Sequence, residues 1–265
     1  MRRFFVVSVL SVLVVSLMPG GAALAHEMLL YPSSMTAAKG ETVRIELHAT
    51  HYFVVPEIME DVSLLTGGVF RNGALEESEF RANEPELRVD FDVKIEDDGA
   101  VLVVAVSDGA IRSVTNEGTM VGRTRRELED RNLRVLSASK TDRYVKAILN
   151  ASGGDTNFAT QVGQALEFVP ITNPADAKVG EFFEVKVLLD GQPAAIPVWA
   201  TYDGFELDIE DTFAYDTVSD SDGVAKIKIT APGIWFVRTE LDDEPGVEGE
   251  YDVLNLASIL TFEVR

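Results

Sequence analysis

Residues Thr42 to Ala49 alternate strictly. Val43, Ile45, Leu47 and Ala49 fall on one side, and Arg44, Glu46 and His48 on the other. That two-residue period predicts a half-buried strand. The mostly apolar run from His26 to Pro32 predicts an edge strand ahead of it. Val89, Phe91, Val93 and Ile95 alternate again, and Val101 to Val106 is an apolar run rich in Val. With Asp97-Asp98-Gly99 between them, these two segments read as a hairpin. Residues 57–82 are mixed and read as hairpin and loop, and Tyr144 to Ala151 as a further strand.

The later half has the same texture. Strands are predicted over Leu166–Ile171, Phe182–Leu189, Pro197–Tyr202, Ala225–Ile229, Trp235–Thr239 and Ser258–Val264, with turns at Asp190-Gly191, Asp220-Ser221-Asp222-Gly223 and Pro232-Gly233. The acid-rich stretch 240–252 reads as a mobile loop. The one helix predicted lies over Thr124–Asn132, where Thr124 is placed to cap and Glu127 sits at the capping-box offset. Ser152-Gly153-Gly154-Asp155 is a polar break. The expectation is therefore an all-β chain with one short helix, in two β-sandwich domains at 26–152 and 153–265. The regular spacing of short strands and turns marks the second as immunoglobulin-like.

Residues 1–25 differ from all of this. Met1-Arg2-Arg3 is positive, Phe4 to Met18 is apolar, and Ala23-Leu24-Ala25 is a small-x-small cleavage site. The apolar run is about 15 residues, short of the roughly 20 that span a bilayer. A cleaved export signal is expected, with His26 as the new N-terminus, a periplasmic location, and no membrane insertion after cleavage.

Charge narrows the partners. The net charge of −21 repels nucleic acid and anionic membranes and attracts cations or basic partners. With no cysteine in the chain, any metal must be held by His, carboxylate, amine, Met or backbone oxygen.

The three histidines, His26, His48 and His51, all lie early in the exported chain. An N-terminal His offers both its imidazole and its α-amine, whose unperturbed pKa of about 7.7–8.0 lets a metal displace the proton. A second His completes a three-nitrogen set suited to Cu(II) or Ni(II) and tolerant of Co(II) and Zn(II). His48 and His51 have opposite parity, so they serve one site only if the chain bends near Thr50. The plainer reading leaves His26 in solvent, His48 on a solvated strand face and His51 hydrogen-bonded in a loop. Asp220 could begin a calcium loop, but its twelfth position is Ala231, so a β-turn is expected. Trp199 and Trp235 are expected in the core. No phosphate loop or nucleophile motif is present.

The segments Ala25-His26-Glu27-Met28-Leu29-Leu30-Tyr31-Pro32, His51-Tyr52-Phe53, Tyr144-Val145-Lys146-Ala147-Ile148-Leu149, Leu166 to Pro174, Leu188 to Pro193, Pro232-Gly233-Ile234-Trp235 and Leu260 to Val264 occur in an ordered series. That series resembles a bacterial exported family described as the periplasmic component of nickel and cobalt uptake (nickel uptake substrate-specific region). The resemblance implies two β-rich domains and a metal-binding role rather than catalysis. It implies His26 and His51 as ligands, with His48 third, and a membrane metal transporter as partner. This chain departs from the family in having Thr50 where a Gly precedes the His, and no His after Trp235. The second departure leaves Glu240 or Asp242 as substitute ligands. The expected ion is nickel or cobalt, with copper possible. The alternatives are a copper-dependent oxygenase built on the N-terminal His chelate and a non-catalytic adhesive or scaffold module.

Overall fold

The computed structural model describes residues 26–96 and 98–265, apart from the side chain of Asp243. The expected export signal, residues 1–25, and the first residue of the Asp97-Asp98-Gly99 turn lie outside the described residues. The first strands are β1 (Glu27–Pro32), β2 (Thr42–Thr50), β3 (Leu65–Arg71), β4 (Ala74–Glu77), β5 (Arg81–Asn83) and β6 (Arg88–Lys94). Next come β7 (Val101–Ser107), β8 (Arg112–Thr115), β9 (Gly118–Val121), helix α1 (Arg125–Glu129) and β10 (Val135–Leu149). The later half holds β11 (Leu166–Pro170), β12 (Phe182–Leu189), β13 (Gln192–Pro193), β14 (Pro197–Tyr202), β15 (Tyr215–Val218), β16 (Val224–Lys228), β17 (Gly233–Val247) and β18 (Tyr251–Val264).

The protein is all-β, with α1 as a short exception. Three sheets stack in layers. One outer sheet runs β1-β2-β6-β5, and the other is built on β12, flanked by β11, β13 and β16. The large central sheet runs β15-β14-β17-β18-β10-β7-β3-β4, with β8 and β9 at its side. Its residues alternate between two cores. Val101, Val103, Val145, Ala147, Phe236 and Ile259 face the first outer sheet, while Leu102, Ile148, Trp235, Val237, Leu260 and Phe262 face the second. The two sandwiches thus share their middle layer, because period-two side chains from one strand can fill cores on both faces. β10 and β18 lie side by side and parallel, from Ser139↔Val253 to Ala147↔Thr261.

The capping box forms as expected: Thr124 accepts from the Glu127 N–H, and the Glu127 carboxylate accepts from the Thr124 N–H. Trp235 is buried in the second core. Asp220 accepts from the Asp222 and Val224 amides at 2.9 Å each, which makes 220–223 a side-chain-closed turn.

Two expectations are corrected. The segments around Asp98-Gly99 are not a hairpin: β6 pairs with β2 and β5, whereas β7 pairs with β3 and β10. Both segments are apolar enough to be central strands, and each finds partners in a different layer. The stretch 240–252 is not a loop either. It carries the ends of the β17–β18 hairpin, with a bulge between Leu241 and Glu244. One of its carboxylates is matched from afar, since Arg125 on α1 donates to both Asp252 carboxylate oxygens at 2.9 and 2.6 Å.

Candidate metal centre

The outer-sheet ladder sets the site. β1 and β2 pair antiparallel with Glu27 opposite Thr50, Leu29 opposite His48, and Pro32 opposite Ile45. One step beyond the last pair, His26 meets His51. Their ring centroids are 4.2 Å apart and the planes are tilted by 43°. The His26 carbonyl accepts from Arg143 Nε at 3.0 Å, which ties this end of the chain to β10.

After Thr50 the chain turns sharply. Thr50 Oγ1 donates to the Tyr52 carbonyl at 2.7 Å and accepts from the Tyr52 N–H at 2.8 Å. Val54 takes φ of 71°. The backbone then returns, and the Glu57 N–H donates to the Ala49 carbonyl at 3.0 Å. This brings the Glu57 carboxylate back to His51. It accepts the His51 backbone N–H and lies 3.4 Å from His51 Nδ1.

His26, His51 and Glu57 each offer a ligand atom, and these atoms lie within 4.8 Å of one another. All three side chains are half-buried. With metal–nitrogen and metal–oxygen bonds of about 2.0–2.2 Å, donors on opposite sides of an ion sit about 4.0–4.4 Å apart. Small rotamer adjustments therefore close the set around one ion. A loop from the other half of the chain packs beside it. The Asp211 N–H donates to the His51 carbonyl at 3.0 Å, and Tyr52 Oη donates to Glu210 Oε1 at 2.9 Å.

The electrostatics suit a cation. Burial, then His51 and Arg143, push the His26 imidazole below its ordinary value against the pull of Glu57 and Glu60. A neutral ring is the form that coordinates a metal. Burial alone would raise Glu57, but the His51 backbone N–H and the two imidazoles outweigh it and hold the carboxyl below its usual range. Beneath the cluster, burial pushes Glu27 up to about 7 although Arg238 opposes this. Arg238 pairs with both Glu27 and Glu240 and lies 5.0 Å from the Trp199 ring.

His48 is not part of this group. It is 3% exposed, with Nε2 3.2 Å from Glu46 Oε2 and its ring stacked on Tyr31. His48 pairs with Leu29 while His51 lies one step past the Glu27–Thr50 pair, so the two have opposite parity, and the turn after Thr50 does not bring them to one face. Of the two substitute carboxylates, Glu240 is taken by Arg238 at 2.5 Å, and Asp242 is exposed. The carboxylate beside the histidines is Glu57. No local pattern marks it among the other acidic residues; only the turn through Val54 brings it back.

Fold and site together define a β-sandwich protein with a His–His–Glu cluster at the end of an outer-sheet ladder. The chain belongs to a family described as a domain of unknown function (DUF4198), which matches residues 23–243. No curated protein matches the chain. Five solved chains match, among them one described as the D0-D1 domain of Intimin. That alignment has 13% identity and a TM-score of 0.22, and it covers 91% of this chain and 99% of the other.

Proposed function

We propose that the exported protein binds one divalent transition metal ion through the imidazole and freed α-amine of His26, the imidazole of His51 and the carboxylate of Glu57. The observation that carries this reading is the convergence of those three side chains within 4.8 Å. It occurs at the residue that follows a small-x-small cleavage motif. Three nitrogens and one oxygen suit nickel, cobalt or copper better than calcium or magnesium. The half-buried position leaves coordination sites open, so the ion can exchange by ligand substitution.

The role we assign is that of a periplasmic accessory protein of nickel or cobalt uptake, a carrier rather than an enzyme. It would pass the ion to a membrane transporter. The acidic chain, at −21, raises the local concentration of cations around this half-buried site. The resemblance of the ordered segments to the nickel and cobalt uptake family supports the same reading.

The test is metal titration of the exported protein followed by native mass spectrometry. One nickel or cobalt ion per chain is expected, with affinity reduced at least tenfold in His26→Ala and in His51→Ala. Equal affinity in the wild type and both variants would reject the site.

A further inference from the structure

A cavity lies on the other face of the same ladder. It has a volume of about 410 Å³ and is lined by Tyr31, Glu46, His48, Val54, Glu86, Leu87 and Arg88, among others. That volume falls within the range of small-molecule sites, about 300–1,000 Å³.

Backbone strain singles out this cavity. Seven described non-glycine residues have positive φ, and five of them are Asn or Asp, which tolerate it. The two bulky exceptions are Val54 at 71° and Leu87 at 53°, and both line this cavity. Leu87 is 45% exposed, an apolar side chain held at the mouth. Bulky residues kept in that region cluster at ligand clamps.

Its polar groups are incompletely matched. Arg88 directs Nε to Asp90 and Nη1 to Glu46, each at 3.0 Å, so Nη2 is the guanidinium nitrogen not used in either of these contacts. The His48 side chain is 4% exposed, and its Nδ1 makes no hydrogen bond of regular geometry, with the Val54 backbone beside the ring. The Glu86 carboxylate, 4.0 Å from Arg88 Nη1, is 62% exposed at the rim. Between these groups stand the Tyr31 ring and the Val54 and Leu87 side chains.

We propose that this cavity binds a small zwitterion of the apolar α-amino acid class. The carboxylate is received by Arg88 Nη2, the ammonium by Glu86, and the side chain by Tyr31, Val54 and Leu87. Charge selects this class. A lone anion is repelled by Glu46, Glu86 and Asp90 around Arg88, and a simple amine leaves the outer edge of the Arg88 guanidinium unmatched. A net-neutral ligand with both charges satisfies the two ends at once. The site is independent of the metal reading.

Calorimetry on the metal-free exported protein tests it, with L-leucine, L-phenylalanine, 3-phenylpropionate and 2-phenylethylamine as probes. Saturable binding of an amino acid is expected, with both single-charge analogues at least tenfold weaker than phenylalanine. Glu86→Gln, a rim substitution, should weaken phenylalanine at least fivefold and leave phenylpropionate unchanged. His48 ring signals in NMR spectra should shift as the amino acid is added. The proposal is overturned by no saturable binding of either amino acid up to about 10 mM, which corresponds to an interaction too weak to be specific. Analogues that bind as well as phenylalanine, or an unmoved His48 ring, overturn it equally.

Discussion

His26 and His51 stand opposite each other one step past the last paired residues of the β1–β2 ladder, with ring centroids 4.2 Å apart. The ladder is what makes this reproducible. Each backbone pair from Pro32↔Ile45 to Glu27↔Thr50 fixes the register, and a slip of one residue would reverse every face. The core residues Met28 and Leu30 on one strand and Ile45 and Leu47 on the other forbid that slip, since all four are buried. The position of the two imidazoles is therefore set by hydrophobic burial some distance from the site.

In the proposed site the α-amine is a ligand only when nothing precedes His26. A protein carrying one additional N-terminal residue keeps both imidazoles and Glu57 but replaces the amine by an amide. Nickel affinity should fall at least tenfold, which is about 1.4 kcal/mol. Competition against a chelator of known affinity measures it. Unchanged affinity would show that the metal sits elsewhere or uses side chains alone.

Glu57 accepts the His51 N–H and, in the proposed site, is also a ligand, and one substitution separates the two. Glu57→Gln keeps an oxygen to accept the His51 N–H but removes the negative charge beside the imidazoles. The melting temperature of the metal-free protein should change little, while metal affinity falls roughly tenfold to a hundredfold, as for groups that orient and neutralise a metal site. A large fall in melting temperature with affinity unchanged would make Glu57 purely structural.

The sequence carried the strand pattern, because period-two alternation in β2 and β12 is local. It kept His48 as a third candidate, and parity said only that His48 and His51 would face opposite sides of the strand. It did not carry Glu57, whose approach to His51 depends on Val54 adopting positive φ, a conformation that valine disfavours. Nor did it carry the fate of β6 and β7. Alternation says which face is buried but not which sheet receives it. The β17–β18 extension was hidden because the residue that pairs with Asp252 is Arg125, 127 positions away.

Two phenols give the fold an alkaline limit. Burial, then the hydrogen bond to Asp203, pushes Tyr31 up to about 12, and burial, then Asp142, does the same for Tyr144. The unfolded value is about 10. A group whose folded pKa is raised binds its proton more tightly when folded, so its contribution is complete below pH 10 and is lost as pH rises through about 12. The melting temperature should fall across that interval, and less steeply in Tyr31→Phe. Absorbance at alkaline pH should show a late-titrating share of the six tyrosines. Identical slopes in the two proteins would remove Tyr31 from the account.

Lys146 and Glu167 bridge the central sheet and the second outer sheet in full burial. Lys146 Nζ lies 2.5 Å from Glu167 Oε1 and donates to the Phe168 carbonyl at 2.9 Å. Glu167 also accepts the Val162 and Gly163 amides at 2.7 and 2.9 Å. Burial pushes the lysine below its ordinary value while Glu167 pulls it back. The pair is therefore costly to break and less costly to replace. Lys146→Met strands a buried carboxylate and should lower stability by about 3–5 kcal/mol. Lys146→Met combined with Glu167→Gln removes both charges and keeps an acceptor for one of the two amides, so part of that loss should return. Urea unfolding of the two variants decides the matter. A double variant no more stable than Lys146→Met alone would mean that the ammonium's packing, rather than the stranded charge, accounts for the loss.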